Sequence, residues 1–129
     1  MAVARIARRL RRETQGEHSA PVISALAVLN RTGPTTLGEL AHAEGIARPT
    51  MTVLAAALER EGLLRREKDP ADGRLVRVSI TATGRDALAR SRTRKNAFLA
   101  RRLRTLDQDE LAALERAIDI LERVVEPAV

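Results

Sequence analysis

One short segment alternates strictly between apolar and polar side chains, and it limits the possible folds more than any other part of the chain. In residues 76–80, VRVSI, every second side chain is apolar, which predicts a β-strand with one buried face. The segment DPADGR lies just before it. A turn of this composition between two extended segments is typical of a hairpin. The sequence therefore predicts one β-hairpin, over roughly residues 63–68 and 75–81.

The rest of the chain repeats its apolar residues at spacings of three and four, which predicts helices. Phe98 is the only aromatic residue among 129, so the core must consist of Leu, Ile, Val and Ala. The predicted helices cover residues 2–14, 20–32, about 37–44, about 49–61, about 81–103 and about 107–125. Three helices followed by a hairpin is the order of a winged helix-turn-helix.

The predicted helix ends carry recognisable start and stop signals. Residues 36–39, TLGE, and residues 107–110, DQDE, each match a capping box, in which two side chains satisfy free N–H groups at a helix start. The fourth helix is expected to have Arg48 as its N-cap and Pro49 at its first helical position. Gly62 is expected to cap the C-terminus of the same helix.

Charge and composition limit the function. Residues 1–106 carry 21 basic and 10 acidic side chains, whereas residues 107–129 carry 2 basic and 7 acidic ones, which favours a polyanionic partner for the basic part. The chain has no Cys, so disulfides and thiol-based sensing are excluded, and a reducing cytoplasm is expected. No apolar run approaches the roughly 20 residues that span a bilayer. The basic start, MAVARIARRLRRE, is interpreted as an amphipathic helix, with a transit peptide or a membrane-surface helix as the alternative.

The sequence argues against an enzyme and against a metal site. No nucleophile is paired with a base, and no glycine loop of the phosphate-binding kind is present. His18 and His42 are isolated in the sequence, so surface or capping roles are expected for them. The spacing of Asp69, Asp72 and Gly73 lacks the alternate-residue ligands and the distant Glu of a calcium-binding loop. We therefore expect no cofactor.

Residues 33–84 resemble the MarR family of bacterial transcriptional regulators. The order of their motifs is the family's order: a GP turn, the helix LGELA, a recognition helix ending in LEREGL, a basic strand, the wing DPADGR, and VSITATG. The resemblance implies a mainly α protein with a small β-hairpin wing, formed by a single domain. It places the winged helix-turn-helix lobe at about 20–82, and helices for dimerisation and linkage at 1–15 and 83–129.

The resemblance also implies how such a protein works. It implies a sequence-specific, DNA-binding regulator in the cytoplasm, acting as a homodimeric repressor that a small-molecule ligand, often an aromatic acid, releases from DNA. The first and last helices of two chains would form the dimer, although the apolar stripe at 111–125 could instead pack on the chain's own first helix. Phe98 is the only side chain able to stack on a ligand ring.

The helix at 49–61 is expected to lie in the major groove with its N-terminal residues nearest the bases. Arg48, Thr50 and Thr52 are the candidate contacts, to bases or phosphates, although capping and packing could explain both threonines. Several positions that relatives often fill with polar or basic residues are apolar here, namely Val53, Ala56 and Ala57. The sequence therefore predicts either specificity from few contacts plus DNA shape, or weak binding.

The hairpin tip is expected to follow the minor groove, with Arg74 as the probing cation. Asp69 and Asp72 would hold the turn and orient Arg74 or Arg77 by ion pairing, because phosphates repel carboxylates. The alternative is that Arg74 is a solvated turn residue.

Additional phosphate contacts are expected from four further cations: Arg31, Arg65, Arg66 and Lys68. The arginine-rich run at 85–104 is interpreted as a solvated helix face, or alternatively as the lining of an anion-binding cleft. Two other functions remain open from the sequence alone. One is a winged-helix dimeric interaction module, and the other is a non-specific architectural DNA binder.

Overall fold

The computed structural model describes residues 1–126, and over these residues the chain forms six α-helices and three β-strands. The elements are α1 (Ala2–Glu13), α2 (Ala20–Thr32), β1 (Thr35–Thr36), α3 (Leu37–Glu44), α4 (Arg48–Arg60), β2 (Leu64–Lys68), β3 (Val76–Ile80), α5 (Ala82–Leu103) and α6 (Gln108–Val125). The predicted mainly α fold with a hairpin wing is confirmed, and each predicted helix lies within a few residues of its expected bounds.

The core is formed by α2, α3, α4, the hairpin and the first part of α5. Its fully buried side chains are almost all aliphatic: Leu26, Leu29, Leu40, Met51, Leu58, Leu64 and Val78. They recur at helical spacing within α2 and α4, which is why these helices bury one face each. The packing fixes α4 on the hairpin and on α3, and it leaves the opposite side of α4 exposed.

The sheet has three strands rather than the two that the sequence predicts. Its order is β1-β3-β2 with antiparallel pairing throughout, and β1 pairs Thr35 with Val78 and Thr36 with Arg77. Two residues are too few to show an alternating pattern, so β1 gave no periodic signal. Its presence ties the start of α3 directly to the central strand of the wing.

At the end of α4 the chain turns back towards the core. Gly62 has a φ of +75°, a conformation that glycine adopts without steric cost. Its N–H donates to Glu59 O at 3.0 Å, and the Leu63 N–H donates to Leu58 O at 2.9 Å. This pair of bonds is the Schellman motif, so the predicted cap at Gly62 is confirmed, and Leu63 becomes buried.

The segment TATG joins the hairpin to α5 and holds the two in close contact. The Thr81 hydroxyl donates to Gly62 O at 2.6 Å and accepts from the Gly84 N–H at 3.0 Å. A Cβ on Gly84 would lie only 2.2 Å from Leu63 O, so no larger residue fits there without a shift. The short segment therefore fixes the base of the wing against the first turn of α5.

The chain divides into two compact units, residues 1–94 and residues from 95 onward. Within the first unit, α1 has no buried residue, and its Val3 and Ile6 are 49% and 59% exposed. Within the second unit, α6 has none buried either, and it exposes Leu114, Ile118, Leu121 and Val125. The predicted domain limits, 20–82 for the lobe and 1–15 with 83–129 for the helical region, stay a prediction.

Candidate nucleic-acid interface

The start of α4 differs from the expectation at one residue. Ala47, in an extended conformation, is the N-cap, and no side chain caps the helix. Arg48, expected to be the N-cap, is instead the first helical residue, and Pro49 is the second. Proline is tolerated at both positions, because N–H groups in the first turn have no partner within the helix. The first turn of α4 thus lacks the side-chain acceptor that α3 has in Thr36.

The three predicted contact residues of α4 are all exposed. The Thr52 hydroxyl donates to Arg48 O at 3.0 Å, so its proton is used inside the helix and the oxygen remains an acceptor. The Arg48 guanidinium extends towards the first turn of α3, where its Nη1 lies 3.9 Å from the position of a Cβ on Gly38. The Arg48 side chain therefore lies beside the start of α3. Thr50 is exposed on α4 itself.

One buried carboxylate organises the turn of the wing. Asp69 is 8% exposed, and its Oδ1 accepts from the backbone N–H groups of Ala71 and Asp72 at 2.8 and 3.1 Å. Its Oδ2 accepts from Arg77 Nε at 2.5 Å. The Arg77 guanidinium first, and then the two backbone donors, hold the pKa of the Asp69 carboxyl below its ordinary value. The side chain is thus a charged acceptor with both oxygens used inside the protein.

Asp72 performs a similar task at the tip. Its Oδ1 accepts from the Arg74 backbone N–H at 3.0 Å and from Arg74 Nε at 3.2 Å. The Arg74 side chain is nevertheless 92% exposed. In the structure Asp72 contacts Arg74, whereas Asp69 contacts Arg77.

Arg77 connects the wing turn to the start of α3. On one side it pairs with Asp69, and this bond, together with the attraction of Asp69 and of Glu39, raises its own pKa. On the other side, Glu39 Oε2 accepts from the Thr35 hydroxyl and lies at the capping box of α3. The Thr35 hydroxyl first, then the Thr36 N–H, lowers the pKa of Glu39, and Arg77 adds to this effect. The wing and the helix-turn-helix thus share one charged network.

The expected phosphate-binding cations differ in their surroundings. Arg65 Nε lies 2.9 Å from Glu67 Oε1 on the same strand, and Arg66 Nε lies 3.2 Å from Glu59 Oε2 on α4. Within the part of the chain that the structure describes, no carboxylate lies within 4.0 Å of Lys68 or Arg31. The pairing of Arg66 joins β2 to α4 and was not visible in the sequence, because Glu59 belongs to another element.

The orientation of Val53 is not apparent from the sequence, which shows only that the side chain can neither donate nor accept a hydrogen bond. In the structure the side chain is 71% exposed, on the side of α4 that faces away from Met51 and Leu58. The signal was present in the apolar spacing of α4, but the face that packs was not known in advance.

Of the residues that could bind a metal, His18 contacts two carboxylates. His18 Nδ1 lies 3.6 Å from Glu61 Oε2 and its Nε2 lies 3.9 Å from Glu17 Oε2. Over residues 1–126 no three metal-ligating side chains cluster.

The Phe98 ring has the Arg102 guanidinium over it, and the guanidinium carbon lies 5.1 Å from the ring centroid. Among the helices that the structure describes, none combines the length and apolar character needed to cross a membrane.

Comparison with known proteins agrees with this geometry. A family model described as MarR family matches residues 19–76. An uncharacterised HTH-type transcriptional regulator of Mycobacterium leprae is 36% identical over 127 residues, which covers 98% of this chain and 89% of that protein. A similar regulator of Mycobacterium bovis is 35% identical over the same length.

Solved structures show the same fold. A MarR family protein from Bacillus stearothermophilus superposes with a TM-score of 0.81 at 25% identity, covering 95% of this chain and 89% of that one. Wild-type MarR from Escherichia coli, in its apo form, gives a TM-score of 0.82 at 20% identity, covering 97% and 94%.

The family relationship confirms that the chain is a regulator rather than an enzyme. The wing, the two capped helices and the helix-turn-helix all occur in the order that the sequence predicted. Together with relatives that match over nearly the whole chain, they settle the family. The chain belongs to the MarR family of winged helix-turn-helix transcriptional regulators.

Proposed function

We propose that this regulator is a homodimeric repressor that binds a specific double-stranded DNA sequence and leaves it when a small-molecule ligand binds. The observation that carries the proposal is the wing tip, where Asp72 holds the backbone of Arg74 while the side chain stays 92% exposed. A cation presented on a fixed backbone suits the narrow minor groove of A·T-rich DNA, where the negative potential is enhanced.

The remaining predicted residues complete a DNA-binding surface. In this proposal α4 enters the major groove, and Arg48, Thr50 and Thr52 contact bases or phosphates near its N-terminus. Further cations contact the phosphate backbone: Arg31, Arg65, Arg66 and Lys68. Asp69 and Asp72 act indirectly, because their bonds hold the turn and orient the cations beside them.

Dimerisation is supported by the terminal helices. Neither α1 nor α6 has a buried residue, although both carry apolar stripes. Apolar side chains such as Ile118 and Leu121, each nearly half exposed, gain free energy when they are covered. A second copy of the chain is the proposed cover, as is typical of the family.

The ligand part of the proposal follows from family membership and from the sequence. The ligand, of the aromatic-acid kind, would bind preferentially to the conformation that does not fit DNA and shift the population towards it. Phe98 is the only Phe, Tyr or Trp in the sequence and is the proposed residue that stacks on the ligand ring. The proposed location is the cytoplasm, with no membrane partner.

Fluorescence anisotropy tests DNA binding directly. Purified protein is titrated into labelled DNA from upstream of its own gene and into a scrambled duplex, each at two salt concentrations. We expect binding at least roughly a hundredfold tighter to the native duplex. Equal and steeply salt-dependent binding to both would indicate an architectural DNA binder. No binding even at low salt would indicate a dimeric interaction module.

Two further measurements test the other parts. Sedimentation equilibrium should give twice the mass of the 14.1 kDa chain, and Ile118→Glu should lower it towards one chain. A screen of aromatic acids against the DNA complex should find a compound that lowers anisotropy. A monomeric wild-type protein, or a complete screen without release, would contradict the respective part.

A further inference from the structure

The outward face of α4 can be derived from its buried face. Met51, Ala55 and Leu58 are 0%, 0% and 1% exposed, so they mark the side that packs on the core. Successive helical residues are rotated by roughly 100°, so the residues on the opposite side follow directly. They are Pro49, Val53, Ala56, Ala57 and Arg60.

Val53 lies at the centre of this outward face. By the same rotation it is roughly 170° from the mean direction of the three buried residues, and it is 71% exposed. Its neighbours on the face, Pro49 and Ala56, are small and project little. A protruding valine between small residues presents two methyl groups and no hydrogen-bonding group.

Stability does not account for a valine here. The side chain is mostly in water, so it adds little to the core, and β-branched residues lose rotamer freedom in a helix. The predicted polar contacts, Arg48, Thr50 and Thr52, lie towards the sides of the helix rather than on this face. The outward face of α4 is therefore apolar around Val53, and a cation, Arg60, follows only at its C-terminal end.

The surroundings of Val53 fit nucleic acid rather than an apolar protein surface. Arg60 lies on the same face one helical turn beyond Ala56, and exposed Arg48 lies at the side of the helix near its start. An apolar centre with one cation on its face and one at the side of the helix complements a groove floor flanked by phosphates. In the major groove the thymine 5-methyl is the apolar group that the base edges present.

We propose that Val53 is a specificity-determining residue that contacts the 5-methyl group of a thymine in each half-site. The inference rests on the proposed function and adds the kind of base that α4 selects. It also explains how a helix with few hydrogen-bonding side chains distinguishes sequences: a methyl contact discriminates thymine from cytosine without a donor or an acceptor.

The test uses DNA in which the methyl group alone is removed. The wild-type protein first selects duplexes from a random-sequence pool, and each thymine of a selected duplex is then replaced by deoxyuridine. At one thymine per half-site we expect binding about fourfold weaker, the effect of one buried methyl-sized group. Val53→Ala should bind the thymine and uracil duplexes equally at that position.

A second variant supplies the matched control. Arg74→Ala should weaken binding to both duplexes yet keep the fourfold difference between them, because a minor-groove cation does not contact the major-groove methyl. If Val53→Ala removes the thymine preference while Arg74→Ala keeps it, the two effects together assign the methyl contact to Val53. Far-UV circular dichroism should show both variants folded, since both side chains are exposed.

The possible failures are distinguishable. If the wild-type protein selects no sequence, the proposed sequence-specific function fails, and the inference fails with it. If it selects a sequence but no uracil substitution matters, or if Val53→Ala keeps the full thymine preference, only the inference about Val53 is overturned. Loss of dimerisation in Val53→Ala with unchanged DNA binding would also overturn it.

Discussion

The wing and α4 both face outward, yet they are built in opposite ways. In the wing, each carboxylate of the turn is bonded to backbone and to an arginine, as at Asp69 and Asp72. In α4 the N-cap has no side-chain bond, and the middle of the outward face is the apolar Val53. The wing keeps its shape through polar bonds near its tip, whereas α4 keeps its shape through the core behind it.

The largest expected effect is on the free energy of unfolding, and it differs between the two faces of α4. Leu58→Ala should lower the free energy of unfolding by about 3 kcal/mol, because a fully buried leucine leaves a cavity. Val53→Ala should change it by less than about 0.5 kcal/mol. Urea denaturation followed by circular dichroism measures both. Similar losses in the two variants would show that α4 does not depend on its core face in this way.

A smaller effect is expected at the wing tip, and it concerns binding rather than folding. Arg74→Ala should weaken DNA binding about tenfold and reduce the slope of log K against log salt, because one cation per wing is lost. Arg92→Ala, an exposed arginine on α5, is the matched control and should leave affinity nearly unchanged. Anisotropy at several salt concentrations distinguishes them, and equal losses would place Arg74 outside the interface.

Acid should weaken the wing more than it weakens α4. The folded-state pKa of Asp69 is below 3.8 and that of Glu39 is below 4.5, their ordinary values. Their stabilisation is therefore present above those ordinary values and is lost as the pH falls through the lower folded-state pKa values. Arg77 stays charged throughout this range.

The measurement for this pH effect is the urea midpoint between pH 6 and pH 3. The wild-type midpoint should fall with pH, and Asp69→Asn should show a flatter dependence because the titrating carboxyl is gone. Asp86→Asn is the control, since it removes an exposed carboxylate of α5 and should leave the slope unchanged. Identical slopes in wild type and Asp69→Asn would contradict the role of the Asp69 bonds.

The smallest expected effect is a gain at the start of α4. Ala47 has the extended backbone of an N-cap but no side-chain acceptor, so Ala47→Ser should raise the free energy of unfolding by roughly 0.5–1 kcal/mol. Thr36→Ala, at the capped start of α3, should lower it by a similar amount. Thermal unfolding measures both shifts. No gain in Ala47→Ser would mean that water already satisfies that turn.

Much of the fold could be predicted because its signals are local. Both capping boxes and the Gly62 cap depend on residues a few positions apart. β1 could not be predicted, since two threonines become a strand only through pairing with β3. Arg48 was misplaced by one residue as the N-cap, because Pro49 is acceptable at either of the first two helical positions.

The candidate site was predictable as a set of residue types but not as a set of contacts. Arg74 and Asp72 lie close together in sequence, and their pairing could be expected. The pairs Arg66 with Glu59 and Arg77 with Asp69 join residues that only the packed sheet brings together. The orientation of Val53 also required the packed structure, because it depends on which face of α4 is buried.

The separation of the two faces of α4 bears on how this protein can change over time. Met51, Ala55 and Leu58 are each fully enclosed, so replacements there disturb the whole lobe. Val53 is 71% exposed, and its outward neighbour Ala56 is small. Under the proposed contact of Val53 with DNA, single replacements on this face can change the target sequence while the folded core stays intact. Fewer single replacements are tolerated in the wing, because its acidic side chains are already hydrogen-bonded.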